Sequence, residues 1–195
     1  MTPTDKPFVL AFGDSLTAGY GLAPAESFAA RLQLLLRQRF PAAAVRNAGL
    51  FGDTTESGRA RLPRLLSGLT RRPDLAIVEL GANDLLRGIP AARSRANLDA
   101  IVGDFGRAGI PVLLAGFEVP RLLAAVAGHY DGIHAEVAAR HRVPLAPFFP
   151  PGVLGRPGLV LADGLHPNAR AIEQIAAAFL PAVLAALGDD RSEAA

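Results

Sequence analysis

Leu75-Ala-Ile-Val-Glu-Leu80, closed by Gly81, is the clearest strand in the chain. A short, nearly continuous apolar run ended by glycine is the pattern of a strand buried on both faces, as in a parallel sheet covered by helices. Phe8-Val-Leu-Ala-Phe12, closed by Gly13-Asp14, and Pro111-Val-Leu-Leu-Ala115, closed by Gly116, repeat it on either side. Ser27 to Phe40 places Phe28, Leu32, Leu35 and Leu36 at helical spacing, with Pro41 as the stop. Val45 to Ala48 is a weaker strand ending at Gly49, and Asp53 with Glu56 resembles a capping box for a helix running to about Leu69. Ala91 to Ala108 reads as helix, and the pattern after Gly116 is helical again to about Arg140. Val143 to Ala146 is the last strand, residues 150–158 form a Gly/Pro-rich loop, and Ala169 to Leu187 is the final helix. Strands alternating with helices at this spacing predict an α/β, doubly wound fold on a parallel sheet. In the common strand order 2-1-3-4-5, ligands bind beyond the carboxyl ends of strands one and three.

The chain has 195 residues, half of them hydrophobic, which suits one core: a single domain over residues 1–188 and a flexible C-terminal tail over 189–195. Charged residues make up 19%, with no long block of like charge, which excludes the disordered class. Twenty basic residues against 18 acidic leave a net charge of +2, and Lys6 is the sole lysine. Arg59, Arg61, Arg64, Arg71 and Arg72 cluster, but Glu56 and Asp74 flank them and no aromatic interleaves. They read as a solvated helix face, and no nucleic-acid partner is expected. Cysteine is absent, which removes disulfides, thiolate nucleophiles, cysteine-bearing zinc sites and iron–sulfur clusters. No apolar run approaches the roughly 18–20 residues that span a bilayer, so the expectation is no integral membrane segment. A soluble chain follows, cytoplasmic if complete and periplasmic or secreted if a signal peptide was removed; oligomeric state stays open.

Polar residues follow both switch-point strands, as Gly13-Asp14-Ser15-Leu16 and Gly81-Ala82-Asn83-Asp84. Near the C-terminus Asp163-Gly-Leu-His166-Pro167 sets a carboxylate and an imidazole three residues apart, with Pro167 suited to a first helical turn. A serine hydroxyl needs a base within hydrogen-bond reach, and that base needs a third group to orient it. Ser15, His166 and Asp163 fit those roles. The backbone N–H groups of Ser15 and Gly52 and the Asn83 side-chain amide, each just past a predicted strand, are candidate oxyanion donors. Asp14 and Asp84 are assigned turn or loop-bridging roles, and His129, His134 and His141 surface or packing roles. His134-Ala-Glu136 lacks the cysteines of a zinc deaminase, and Gly19-Tyr-Gly21 is broken as a dinucleotide fingerprint by Pro24.

Four blocks, Phe12-Gly-Asp-Ser-Leu-Thr-Ala-Gly-Tyr20, Asn47-Ala-Gly-Leu-Phe-Gly-Asp-Thr54, Glu79-Leu-Gly-Ala-Asn-Asp84 and Asp163-Gly-Leu-His-Pro-Asn168, together resemble the SGNH, or GDSL, hydrolases. Ser57-Gly-Arg-Ala-Arg-Leu-Pro63 and Val143-Pro-Leu-Ala-Pro-Phe-Phe149 are similar to the bacterial branch of arylesterases, lysophospholipases and acyl-CoA thioesterases. The resemblance implies a three-layer, flavodoxin-like α/β/α sandwich and a Ser15–His166–Asp163 triad. It further implies an oxyanion hole of Ser15, Gly52 and Asn83, and hydrolysis with no cofactor and no metal. The implied partner is a small-molecule ester, cleaved through an acyl-serine intermediate. Leu50-Phe51 and the segment from Phe117 to Ala127 depart from the family pattern near the expected mouth of the acyl pocket. Phe51, Leu85, Leu86 and Phe117 are candidate acyl-binding residues, with Leu85 to Pro90 as a lid. The alternatives are an acyl-CoA thioesterase or lysophospholipase, a carbohydrate O-deacetylase, or a flavodoxin-like binding module without chemistry.

Overall fold

The computed structural model describes residues 5–117 and 127–188. Strands β1 (Phe8–Gly13), β2 (Ala44–Gly49), β3 (Leu75–Glu79), β4 (Val112–Gly116) and β5 (Leu145–Pro147) form one sheet in the order β2-β1-β3-β4-β5, parallel throughout. Between them run α1 (Ser15–Ala18), α2 (Phe28–Arg39), α3 (Thr55–Ser67), α4 (Ala82–Leu86), α5 (Ala91–Arg107), α6 (Ile133–His141) and α7 (Ala169–Ala186). Alternation along the central strands divides the core in two. Val9, Ile77, Leu113 and Ala115 face the layer of α2 and α7, where Phe28, Leu32, Ile175 and Phe179 meet them. Leu10, Phe12, Ala76, Val78 and Leu114 face α3, α5 and α6, where Leu62, Leu98, Phe105 and Val137 close the other side. Strands covered on both faces have no polar side to present, which is why their sequences read as apolar runs. The α/β/α order leaves the carboxyl ends of β1 and β3 adjacent, in register Gly13 to Glu79.

Several local readings are corrected by the fold. The cap of α3 is Thr54 with Ser57, each side chain bonding the other's backbone N–H, in place of Asp53 with Glu56. Asp53 is instead buried and takes up Arg61. Strand β5 begins two residues later than Val143, because the Val143 N–H is used to close α6 on the Ala138 carbonyl. Pro167 stands before the helix, and Asn168 caps α7 through the Ala171 N–H at 3.1 Å. Residues 118–126 of the expected helix after Gly116 lie outside the described residues, and α6 begins only at Ile133.

Helix α7 is longer and more apolar than the sequence reading allows for any segment. Its 18 residues have a mean hydropathy of 1.4, long and apolar enough by composition to cross a bilayer. In this fold its apolar stripe is core: Ala171, Ile172, Ile175, Ala176, Phe179 and Val183 are buried, and Glu173 pairs with Arg31 of α2 at 3.0 Å.

Candidate active site

The site is built where β1 and β3 end. Gly13, the last residue of β1, has no room for a side chain: a Cβ there would stand 2.1 Å from Thr17 Oγ1 and 2.7 Å from Glu79 Oε2. The space goes to the Glu79 carboxyl, whose Oε2 accepts the Thr17 hydroxyl at 2.8 Å and lies 3.4 Å from the Asp14 N–H. Asp14 then caps the short α1 through the Leu16 N–H at 2.9 Å. Ser15 is left on the first turn at the strand's end, 7% exposed, with its carbonyl accepting from Gly19 and Tyr20.

His166 arrives from the loop before α7. A small antiparallel bridge holds that loop: the Leu161 N–H donates to the His166 carbonyl at 2.8 Å, and the Asn168 N–H to Leu159 at 2.9 Å. Within it Asp163 Oδ1 accepts the Leu165 and His166 N–H groups at 2.9 and 3.0 Å. Oδ2 accepts His166 Nδ1–H at 2.6 Å. The Leu165 N–H first, then the imidazole and the His166 N–H, hold the Asp163 carboxyl down at about 2. An ionised carboxylate only accepts, so the proton sits on Nδ1, and Nε2 receives the Ser15 hydroxyl at 3.0 Å. Tyr20 covers the imidazole, ring centroids 4.3 Å apart, and Phe51 meets Tyr20 edge-on at 5.4 Å.

Asn83 comes from the start of α4, after Gly81, whose φ of +128° turns the chain sharply out of β3. Its Nδ2 donates to Asp14 Oδ2 at 2.9 Å and to the Asp53 carbonyl at 3.0 Å. Gly52 precedes that carbonyl at φ +70°, and its own carbonyl accepts from Arg87 at 2.8 Å. Below, Asp53 takes Arg61 Nε at 2.7 Å and Ser57 Oγ at 2.5 Å, while Arg61 also donates to the Gly13 carbonyl and lies 4.1 Å over the Phe12 ring. Arg61 is therefore turned under the site, and the solvated-face reading fails for it. Asp84 ties α4 to α3 and α5, accepting from Thr55 N–H and Oγ1 and from Ser94 Oγ. His134 is buried with Nε2 2.9 Å from the Leu80 carbonyl, and burial lowers its pKa.

A cleft of about 90 Å³ opens beside the serine. Ser15, Asn83, His166, Leu86 and Phe117 line it, as do Asp14, Leu16, Ala82, Phe149, Leu154 and Leu165. Of the expected acyl-binding residues, Phe51 and Leu85 stand elsewhere: Phe51 is exposed against Tyr20, and Leu85 packs on the α5 side of the core. Tyr20, Glu79, Phe149, Leu154 and Leu165 were not singled out from the sequence. Glu79, the one charge inside an apolar strand, carried a signal; the others lie in segments without periodicity.

Residues 11–172 match the GDSL-like Lipase/Acylhydrolase family. Esterase TesA of Pseudomonas aeruginosa is 37% identical over 164 residues, 82% of this chain and 79% of that protein. An arylesterase of Vibrio mimicus is 36% identical, covering 86% and 84% of the two chains. The crystal structure of AlinE4, an SGNH-hydrolase family esterase, superimposes with a TM-score of 0.76 at 44% identity, over 93% of this chain and 97% of the other. The chain belongs to the GDSL-like lipase/acylhydrolase family.

Proposed function

We propose that Ser15 is the nucleophile, His166 the general base and acid, and Asp163 the group that orients the imidazole. The reaction class, hydrolysis of carboxylic esters by a serine hydrolase, accords with the family to which the chain belongs. The observation that carries the residue assignment is the unbroken series Asp163 Oδ2, His166 Nδ1, His166 Nε2, Ser15 Oγ, with contacts of 2.6 and 3.0 Å. His166 takes the Ser15 proton as Oγ attacks the ester carbonyl, and returns it to the leaving alcohol. Water, activated by the same imidazole, then releases the acid. The tetrahedral oxyanion is received by the N–H groups of Ser15 and Gly52 and by the Asn83 amide. Leu86 and Phe117, with Phe149, Leu154 and Leu165, supply an apolar wall for the acyl chain. Ser15→Ala is expected to lower kcat on an aryl acetate by about 10⁴-fold or more without changing the thermal unfolding midpoint. Wild-type turnover in that variant would remove the assignment.

A further inference from the structure

Asn83 has two amide hydrogens, and both are engaged: one by Asp14 Oδ2 at 2.9 Å, the other by the Asp53 carbonyl at 3.0 Å. The bond to Asp53 goes to backbone in the turn that follows Gly52, so it fixes where the amide stands. The bond to Asp14 needs another account. A carboxylate beside an oxyanion opposes the charge that develops there, yet Asp14 adjoins the proposed nucleophile and lines the same cleft. A helix cap alone would use one oxygen, and the Leu16 N–H already occupies Oδ1. The second oxygen accepts from Asn83.

Asp14 is held from below as well. Its neighbour Glu79 is buried, its side chain is hydrogen-bonded to Asp14, and Gly13 is cleared of any Cβ to admit it. Two touching carboxyls in a buried space do not both ionise readily. Burial raises both, Asp14 to about 6 and Glu79 well above the ordinary range. Asp14 is thereby fixed at three points: the Leu16 N–H, the Glu79 carboxyl and the Asn83 amide.

We propose that Asp14 is a positioning residue for the oxyanion donor: its carboxylate, seated on buried Glu79, aims the Asn83 amide at the cleft. This rests on the reading of Asn83 as an oxyanion donor. The amide shares its hydrogen between Asp14 Oδ2 and the oxyanion as the negative charge appears, so no rotation of the side chain is needed at that moment.

The test is a double-mutant cycle on the full chain with an aryl acetate. Asp14→Asn keeps an oxygen for the Leu16 N–H but turns a second NH₂ toward Asn83, setting donor against donor. Its kcat is expected to fall about 10-fold or more, with KM within about 2-fold, and Asn83→Ala to fall about 100-fold. The double variant should be no slower than Asn83→Ala alone, because Asp14 acts only through that amide. Losses that multiply, or a wild-type rate in Asp14→Asn, would overturn the proposal while leaving the oxyanion role of Asn83 standing. A wild-type rate in Asn83→Ala would overturn that role and the proposal with it. A measurement on the wild-type protein covers the case of a variant that does not fold. The Asn83 side-chain amide resonances should titrate with a midpoint of about 6, following Asp14, with Glu79, Asp53 and His166 the other titratable groups around it. Resonances that stay unmoved while the Asp14 carboxyl titrates would overturn the proposal.

Discussion

Gly13 shows how one missing side chain supports a site. Its vacant Cβ position is 2.1 Å from Thr17 Oγ1 and 2.6 Å from the Glu79 carbonyl, which is backbone and cannot swing away. Gly13→Ala is therefore expected to destabilise the protein by about 1–3 kcal/mol, measured by urea unfolding, and to lower kcat as Asp14 and Ser15 are displaced. The two perturbed aspartates act on stability in opposite pH windows. Asp163 is depressed to about 2, so its contribution is present above about 4 and is lost as pH falls from 4 toward 2. Asp14 is raised to about 6, so its contribution is complete below about 4 and is lost as pH rises through 6. Unfolding midpoints of wild type and Asp14→Asn across that upper window should diverge in slope, with the variant flatter. Equal slopes would count against a raised Asp14.

At the scale of elements, the site depends on loops tied to one another more than on any single helix. Arg61 of α3 joins Asp53, the Gly13 carbonyl and the Phe12 ring, and so fastens the turn after β2 to the end of β1. Its side chain is 23% exposed and that of Asp53 is not exposed at all. Arg61→Ala would strand a buried carboxylate, at a cost of about 3–5 kcal/mol. Part of that loss should return in Arg61→Ala combined with Asp53→Asn, by the same unfolding measurement. Elements of this kind were the least legible in the sequence. Arg61 sits among four other arginines, and nothing in the spacing distinguishes the one that turns inward. Asp53 suits the cap of α3 by sequence as well as Thr54 does, one residue on; its burial against Arg61 is a tertiary fact. Val143 reads as strand because it is apolar and β-branched, whereas its N–H closes α6.

At the scale of the molecule, the reading from sequence reached further. The strands β1, β3 and β4 were legible because both of their faces are covered, and with the intervening helices they implied the doubly wound order that the sheet displays. That order brings the ends of β1 and β3 together, and hence Ser15 and Asn83 to one cleft, although they stand 68 positions apart in sequence. His166 and Asp163 were legible from their spacing in a loop. The apolar wall was read only in part: Leu86 and Phe117 reach the cleft, while Phe149, Leu154 and Leu165 arrive on irregular loops with no period to place them. Tyr20 reaches His166 because it stands between Gly19 and Gly21, both at positive φ, a turn whose direction composition does not specify. The central claim is an activated Ser15, and covalent labelling of the intact protein with a fluorophosphonate tests it most directly. Mass spectrometry is predicted to find a single adduct on the peptide carrying Ser15, with aryl acetate hydrolysis lost in step. A folded protein that turns over the ester with no adduct at Ser15, or with the adduct on another residue, would contradict the account.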